Sequence, residues 1–492
     1  MVKDGVKWVF PLYLFALLPS TAGAQRVLNL DSCRRMALQN NKQLGVAKVK
    51  EGVAANLRKS ARTKYLPHVS AIGTYQFTSK PISLLSGTQQ AEFSSLGTVM
   101  SGGLAQGLGD LAAKSPVLGT VLGRLNPTLE AMVNGVGQKV VDAFDTDTRN
   151  IFAGSVMLTQ PIFMGGSIIA LNKIADINER LAENSTDARR QATLYRIDQA
   201  YWQVVSLCHK QKLAKSYLDL VKKLDADVHK MIDEGVATKS DGLSVDVKVN
   251  EAEMTLTKVN DGLTLSRMLL NQLCGLPLDE QVTLSDEQGD HIAVVELAPE
   301  LDVDKAVANR PELKMLQNTV DLTKQTTNVL RAGNLPQVML TGGYAVSNPN
   351  LLDGFQRKFG GFWNVGVLVR VPIWNWGDVM YKVRASKGAT SIAKLELEEA
   401  RELIELQVNQ NTFKVGEANK KLTMAQANIL RADENLRMAN IGFREGVITP
   451  TTVMEAQTAW LQAQAQKIDA EIDVKLSQVD LQKALGTLEI DN

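Results

Sequence analysis

From Ser167 to Glu234 the chain runs for 68 residues without a glycine or a proline. Read as one helix, that stretch is about 100 Å long at 1.5 Å per residue, far too long for the core of an ordinary globular domain. Gly235 ends the run, and beyond it apolar or small residues recur at Val245, Val249, Ala252, Leu256, Val259, Leu263, Ser266, Leu270 and Leu273. Spacings that alternate between four and three mark a coiled-coil seam. The pattern predicts two long helices, 167–234 and 240–273, folded back on each other around a reversal at 235–239.

The same plan recurs in the second half. The 40 residues from Asn40 align without gaps to those from Asn309, placing Leu66-Pro67 on Leu335-Pro336 and Tyr75 on Tyr344. A second gapless match, at offset 211 instead of 269, sets Ser155 to Gly166 on Gly366 to Gly377, and Glu234-Gly235-Val236 on Glu445-Gly446-Val447. The chain therefore reads as an internal duplication, a first repeat at 25–275 and a second at 301–486, joined by a linker at 276–300 and followed by a tail at 487–492. In the second repeat the helices are expected at 378–443 and 451–485 around a reversal at 444–450, with Val453, Ala456, Trp460, Ala463 and Val474 on one seam and Leu422, Ala425, Ala432, Leu436 and Phe443 on its partner. Large residues alternating with alanine allow close helix approach. The difference between the offsets leaves 58 extra residues in the first repeat, within a long segment at 79–150 whose counterpart, 347–361, is short. That insertion holds amphipathic stretches at Leu96–Leu111, Val117–Leu125 and Leu129–Phe144, and a structured loop of this length is expected to be functional.

Four shorter segments change period from 3.6 to two: about 66–78 and 152–163 in the first repeat, 335–346 and 362–373 in the second. Val69, Ala71, Gly73, Tyr75 and Phe77 alternate with His68, Ser70, Thr74 and Gln76, with Ile72 the exception. Val338, Leu340, Gly342, Tyr344 and Val346 repeat that face, as do Trp363, Val365, Val367, Val369 and Val371. Ten residues of such alternation fit a transmembrane strand with lipid on one side and water on the other. A soluble two-stranded ribbon has the same pattern, but here each pair sits between very long helices. Four strands cannot close a barrel, for which about eight is the practical minimum, and open edges are not tolerated in lipid. Several chains must therefore pool their strands.

The N-terminus reads as an export signal over 1–24: Lys3 and Lys7, an apolar run from Trp8 to Leu18, and Ala22-Gly23-Ala24 before Gln25. Charge is balanced, 54 Lys plus Arg against 53 Asp plus Glu, which argues against a nucleic-acid-binding surface. Cys33, Cys208 and Cys274 are too scattered for a disulfide framework or a zinc site, and read as small apolar fillers. Phosphate-loop, HExxH and GxSxG motifs are all missing, so neither an enzyme nor a cofactor is expected. Cys208-His209 lies inside the long helix, where neighbours point in different directions, and Asn309-Arg310-Pro311-Glu312 reads as a helix start.

The order of these features resembles the TolC-like outer-membrane channel-tunnel family. The resemblance rests on the NNKQL and NRPEL helix starts, the YLP and NLP junctions into strands, the QPIFMGG and VPIWNWG junctions out of them, and the EGVAT and EGVIT reversals. It implies a mostly α fold with a small β part, a homotrimer whose two strand pairs per chain form a 12-stranded β-barrel in outer-membrane lipid, and a helical barrel projecting into the periplasm of a Gram-negative bacterium. Such a chain is the passive exit duct of a tripartite efflux or type I secretion system, working with a periplasmic adaptor and an inner-membrane transporter; a structural periplasmic or surface coiled coil without channel activity is the alternative. The resemblance makes Gly235, Val236, Ala237, Thr238, Gly446, Val447, Ile448 and Thr449 adaptor-docking tips, although plain turns need the same residues. It also puts acids at positions matching Thr452 and Glu455 around the periplasmic aperture. Glu455 keeps the charge and Thr452 does not; Asp241, aligned with Thr452, is the other candidate, and each carboxylate is equally suited to a helix start.

Overall fold

The computed structural model describes residues 26–79, 85–144, 149–289, 292, 303–350, 352–353 and 356–489. The expected leader lies outside them, as does most of the linker beyond residue 289. In chain order the elements are β1 (Arg26–Leu28), α1 (Leu30–Asn40), α2 (Lys42–Thr63), β2 (His68–Phe77), α3 (Gly87–Ser94), α4 (Leu96–Lys114), α5 (Pro116–Phe144), β3 (Asn150–Met164), α6 (Ser167–Asp233), α7 (Lys239–Cys274), β4 (Val282–Leu284), α8 (Val303–Asn309), α9 (Pro311–Ala332), β5 (Gln337–Asn348), β6 (Gly360–Arg370), α10 (Asp378–Arg444) and α11 (Pro450–Leu485). The chain divides into two compact units: Met1–Ala55 with Ile177–Asp321 and Thr390–Asn492, and Asn56–Asp176 with Leu322–Ala389.

The first unit is helical. Helices α6 and α10 have 67 residues each, and α7 and α11 have 36 each. All nine seam positions of α7 are buried or half-buried, from Val245 to Leu273, and so are those of α11 from Val453 to Ala484. One cluster draws on all four helices: Leu224 and Val228 from α6, Val245 from α7, Leu436, Ala439 and Phe443 from α10, and Val453, Met454 and Ala456 from α11. Alternation of large and small residues lets these helices interdigitate at native density. A second cluster surrounds Tyr201, Val204 and Val205 of α6 and includes Cys33, Leu270, Cys274 and Leu284. There β1 pairs in parallel with β4, bringing residues 26–28 beside the described part of the 276–300 segment. Both α7 and α11 end on a left-handed glycine, Gly275 (φ +77°) and Gly486 (φ +68°). In the described part of the tail, Leu488 is buried against Leu194 and Val479.

The second unit holds a four-stranded antiparallel sheet in the order β2-β3-β5-β6. Sequence periodicity pairs strands within each half; the central pairing, β3 with β5, joins the halves. Strand β6 stops at Arg370, three residues short of the expected end, and 371–375 run on without ladder bonds through Pro372, which has no N–H to donate. Its counterpart Pro161 stays within β3, where the register shifts between Pro161 and Phe163. In the insertion, α5 runs continuously from Pro116 to Phe144 with Pro127 inside it, fusing two of the expected stretches. Helix α4 packs against α5 through Gly97, where a Cβ would collide with the Glu130 and Asn134 backbone. The Asn134 side chain accepts from Gly97 N–H at 2.7 Å and donates to Thr98 Oγ1 at 3.0 Å.

Candidate functional site

Strand pairing turns four separate alternations into one surface. Val69, Ala71 and Tyr75 of β2 face Leu158, Val156 and Phe152 of β3; Val156 and Leu158 face Tyr344 and Gly342 of β5; and Tyr344, Gly342, Leu340 and Val338 face Trp363, Val365, Val367 and Val369 of β6. Because opposed residues share a side of the sheet, these side chains form one continuous apolar face. It stays open: Trp363 is 74% exposed, Val365 68% and Val69 66%. Opposite lie His68, Ser70, Thr74, Gln76, Ser155, Thr159, Gln337, Thr341, Ser347, Asn364 and Arg370, interspersed with Ile72, Ile151, Met157, Met339, Phe362 and Leu368. An apolar surface of this extent marks contact with lipid or protein, and a sheet apolar on one side with the polar residues gathered on the other has the chemistry of a membrane barrel wall.

Aromatic rings collect at the strand ends. Tyr75 and Phe152 stack 4.8 Å apart, with Phe359 6.3 Å from Phe152. Beyond β6, Trp374 and Trp376 meet edge-on at 5.7 Å and are 74% and 85% exposed. Trp376 has φ +55°, and it stands where the first half has Gly165 at φ +61°. A side chain in that conformation costs roughly 1–2 kcal/mol, so the indole occupies a place where glycine would be easier. Interfacial anchoring gives it a use, since indole rings favour the boundary of hydrocarbon and water. The alternation of Trp374 and Trp376 after Pro372-Ile373 is the sequence signal for these anchors.

The helix reversals in the helical unit are near-copies. Gly235 (φ +75°) and Gly446 (φ +74°) turn the chain; Val236 N–H donates to Met231 O at 2.8 Å, and Val447 N–H to Gly442 O at 2.9 Å. Left-handed glycine with this back-bond is the Schellman way of closing a helix. Thr238 and Thr449 then cap the returning helices, accepting from the Asp241 and Thr452 N–H groups at 3.2 and 3.4 Å. Val236 and Val447 project outward, 70% and 79% exposed, while Ile448 is half-buried against Gly442.

The acidic candidates differ in role. Asp241 completes a capping box, its Oδ2 accepting from Thr238 N–H at 3.0 Å and Thr238 Oγ1 at 2.6 Å. Those bonds hold its carboxyl below the usual aspartate range. Thr452 occupies the matching place without a charge, its Oγ1 3.2 Å from Thr449 Oγ1. Glu455 is exposed on an open groove of about 750 Å³ between α7 and α11, lined also by Ser244, Lys248, Glu251, Thr451 and Thr458. The structure thus brings Glu455 beside Ser244, and keeps Asp241 in the cap.

Among the described residues, one group has the donors for a metal ion: Asp225, His229 and Asp246, with ligand atoms within 4.8 Å of one another. His229 Nδ1 lies 3.3 Å from Asp225 Oδ1, and Nε2 lies 3.9 Å from Asp246 Oδ1. The hydrogen bond to the Asp225 carbonyl, with the Asp225 and Asp246 charges, raises the imidazole above its ordinary value. The two carboxylates thus favour the protonated form of the imidazole. At offset 211 the second hairpin has Leu436, Asn440 and Gln457 instead.

An open sheet with one lipid-suited face, carried by a chain of long paired helices, defines an outer-membrane channel component. Residues 303–487 match the family model for outer membrane efflux proteins. The outer membrane protein TolC of Vibrio cholerae is 22% identical over 349 residues, spanning 69% of this chain and 77% of the relative. The outer membrane efflux protein BepC of Brucella suis is 22% identical over 356 residues, 70% of this chain and 74% of its own. The fold matches the crystal structure of the outer membrane protein VceC from Vibrio cholerae with a TM-score of 0.71 at 14% identity, over 93% of this chain and 96% of that one. The chain is thus similar to the TolC-like outer-membrane channels in sequence and in fold, and its residues 303–487 match the outer membrane efflux protein model.

Proposed function

We propose that this chain is the outer-membrane exit duct of a tripartite efflux or type I secretion system, conducting substrates passively from a periplasmic adaptor and an inner-membrane pump to the exterior. The observation that carries the reading is the continuous apolar face across four strands whose outer members, β2 and β6, each have a ladder partner on one side only. Unpaired edges are excluded from hydrocarbon, so β6 of one copy must meet β2 of the next. Three copies, the number the family resemblance implies, give 12 strands, above the minimum for closure. Duplication of the chain supplies four strands per copy. Supporting it are the paired helix lengths, and the αL glycines Gly275 and Gly486, which lie against Asn40 and Asn309, residues aligned at offset 269.

Extraction and conductance test the duct. The protein is expected to require detergent, to run as a heat-modifiable oligomer and to form channels in planar bilayers; release with the periplasm without detergent would leave a structural coiled coil. On the lipid face, Val365→Arg or Val367→Arg is expected to cost about 2–4 kcal/mol if the position lies near the bilayer midplane. The heat-resistant oligomer band should then fade. Asn364→Arg, on the opposite face, should leave that band as in the wild type. Equal loss from both faces would refute the assignment of the lipid side.

Glu455, with Asp241 and Thr452 nearby in the aligned first turns of the returning helices, is proposed to line the periplasmic aperture, where threefold symmetry makes a ring of each acid. Such rings favour cations and are occluded by multivalent ones. Glu455→Gln should lower cation selectivity and weaken block by divalent and trivalent ions, and adding Asp241→Asn should deepen both effects. Wild-type selectivity and block in both variants would reduce the carboxylates to helix-start residues.

A further inference from the structure

Two of the three cysteines meet. Cys33 lies near the start of α1 and Cys274 is the last residue of α7. Both have no exposed surface, and both belong to the cluster around Tyr201. Cys274 Sγ lies 3.9 Å from the Cys33 carbonyl oxygen, which brings the two cysteine side chains to the same spot in the core, where the Cys274 side chain helps to raise the Cys33 thiol. Cys208 is buried in the same cluster, and its charged neighbours are Glu287, Arg267 and Lys212. Burial as an apolar filler accounts for Cys208; it does not require two cysteines, 241 residues apart in sequence, to touch.

The surrounding contacts fix the two helix ends independently of the sulfurs. Asn40 Nδ2, at the other end of α1, donates to the Cys274 carbonyl at 2.7 Å. Strand β1 leads directly into α1 and pairs with β4, a few residues beyond α7. With Cys274 Sγ already 3.9 Å from the Cys33 backbone, rotation of the two side chains is the movement needed to reach the S–S length of about 2.05 Å.

We propose that Cys33 and Cys274 are joined as a disulfide in the exported protein, stapling α1 to the C-terminal end of α7. The proposal rests on the outer-membrane reading, because disulfides form in the compartments an exported chain enters. Each thiol gives up one proton and one electron, the S–S bond forms, and the two electrons pass by thiol–disulfide exchange to a periplasmic disulfide oxidant, which leaves as its dithiol. In the folded chain the Cys274 side chain and burial push the Cys33 thiol far up, leaving little thiolate to react. The bond must therefore form while the chain is still open, and folding then shields it from reductants.

Counting thiols tests the proposal. Full-length protein from the outer-membrane fraction is denatured without reductant, treated with a maleimide–polyethylene glycol, and run on a gel. The expected result is one addition per chain, at Cys208, rising to three after reduction. Cys208→Ser should show none before reduction, and Cys33→Ser should show two, because Cys274 is released. Peptide mapping should find the Cys33 and Cys274 peptides linked, two hydrogens lighter than their sum. Three additions without reductant, from protein in the outer membrane, would overturn the disulfide and leave the duct reading standing. Absence from the outer membrane would instead overturn the duct reading, and the same count on protein refolded with oxidised glutathione would then decide the disulfide.

Discussion

Replacing Arg34 with Met is expected to destabilise the helical unit by about 3–5 kcal/mol, the usual cost of stripping one partner from a buried ion pair. Arg34 reaches from α1 to α6 and holds Asp198 through both faces of its fork, Nε to Oδ1 and Nη2 to Oδ2, each at 2.7 Å. Asp198 has no exposed surface and Arg34 only 6%. Burial pushes the Asp198 carboxyl above its ordinary range, and Arg34 pulls it back down. Without the guanidinium only the upward push remains, so Asp198 in the variant is expected to titrate higher still. A carboxyl raised on folding favours the native state below its unfolded value of about 3.9 and loses that advantage as pH climbs through the folded value. The defect of Arg34→Met should therefore be smaller at pH 5 than at pH 8. Arg34→Met with Asp198→Leu removes both charges and should recover most of the loss. Thermal unfolding in detergent, followed by far-UV circular dichroism at the two pH values, measures all three. An Arg34→Met protein as stable as the wild type at pH 8 would mean that water already reaches Asp198.

No pattern in the sequence announces that pair, because its members stand 164 residues apart and each sits singly in a helical context. What was legible is what depends on near neighbours. A gap of 68 residues without glycine or proline gave α6 to within a residue of its observed end. The seams were legible because a four–three repeat is a property of one helix, and the αL turns because Gly235 and Gly446 each follow a long periodic run. Sheet order was not, since alternation states which residues share a face and is silent on which strand lies beside which; the β3–β5 pairing had to come from the structure. The conformation of Trp376 was not legible for a related reason: a tryptophan gives no local sign that its backbone will turn left-handed where the aligned residue is glycine. Pro127 shows the opposite error, a helix breaker by propensity that α5 absorbs, tertiary contacts with α4 outweighing the local cost. All three cysteines are buried in an apolar cluster, as fillers would be, but that reading takes each residue by itself and is silent on the contact between Cys33 and Cys274.

Tryptophan at Gly235 or Gly446 is expected to abolish export while leaving the amount of assembled protein in the outer membrane unchanged. At both positions a Cβ would meet nothing within 4 Å, so a bulky side chain projects into solvent instead of into the hairpin. The folding cost is then confined to the backbone, φ +75° and +74°, at roughly 1–2 kcal/mol for an L-residue in that region. The four-helix cluster next to the reversals, from Leu224 to Ala456, is large enough to carry that strain. A docking partner meets a different surface: an indole placed beside Val236 and Val447, the exposed apolar residues of each turn. If those valines are the contact that an adaptor buries, the indole holds it off. Asparagine separates the two effects, because it tolerates the left-handed region and is short. Gly235→Asn and Gly446→Asn should therefore export at close to the wild-type rate, measured as resistance of the host to a toxic pump substrate, while the tryptophan variants fail. Export retained by the tryptophan variants would make the reversals turns and nothing more, and loss of assembly in them would show that the glycines serve the fold before they serve a partner.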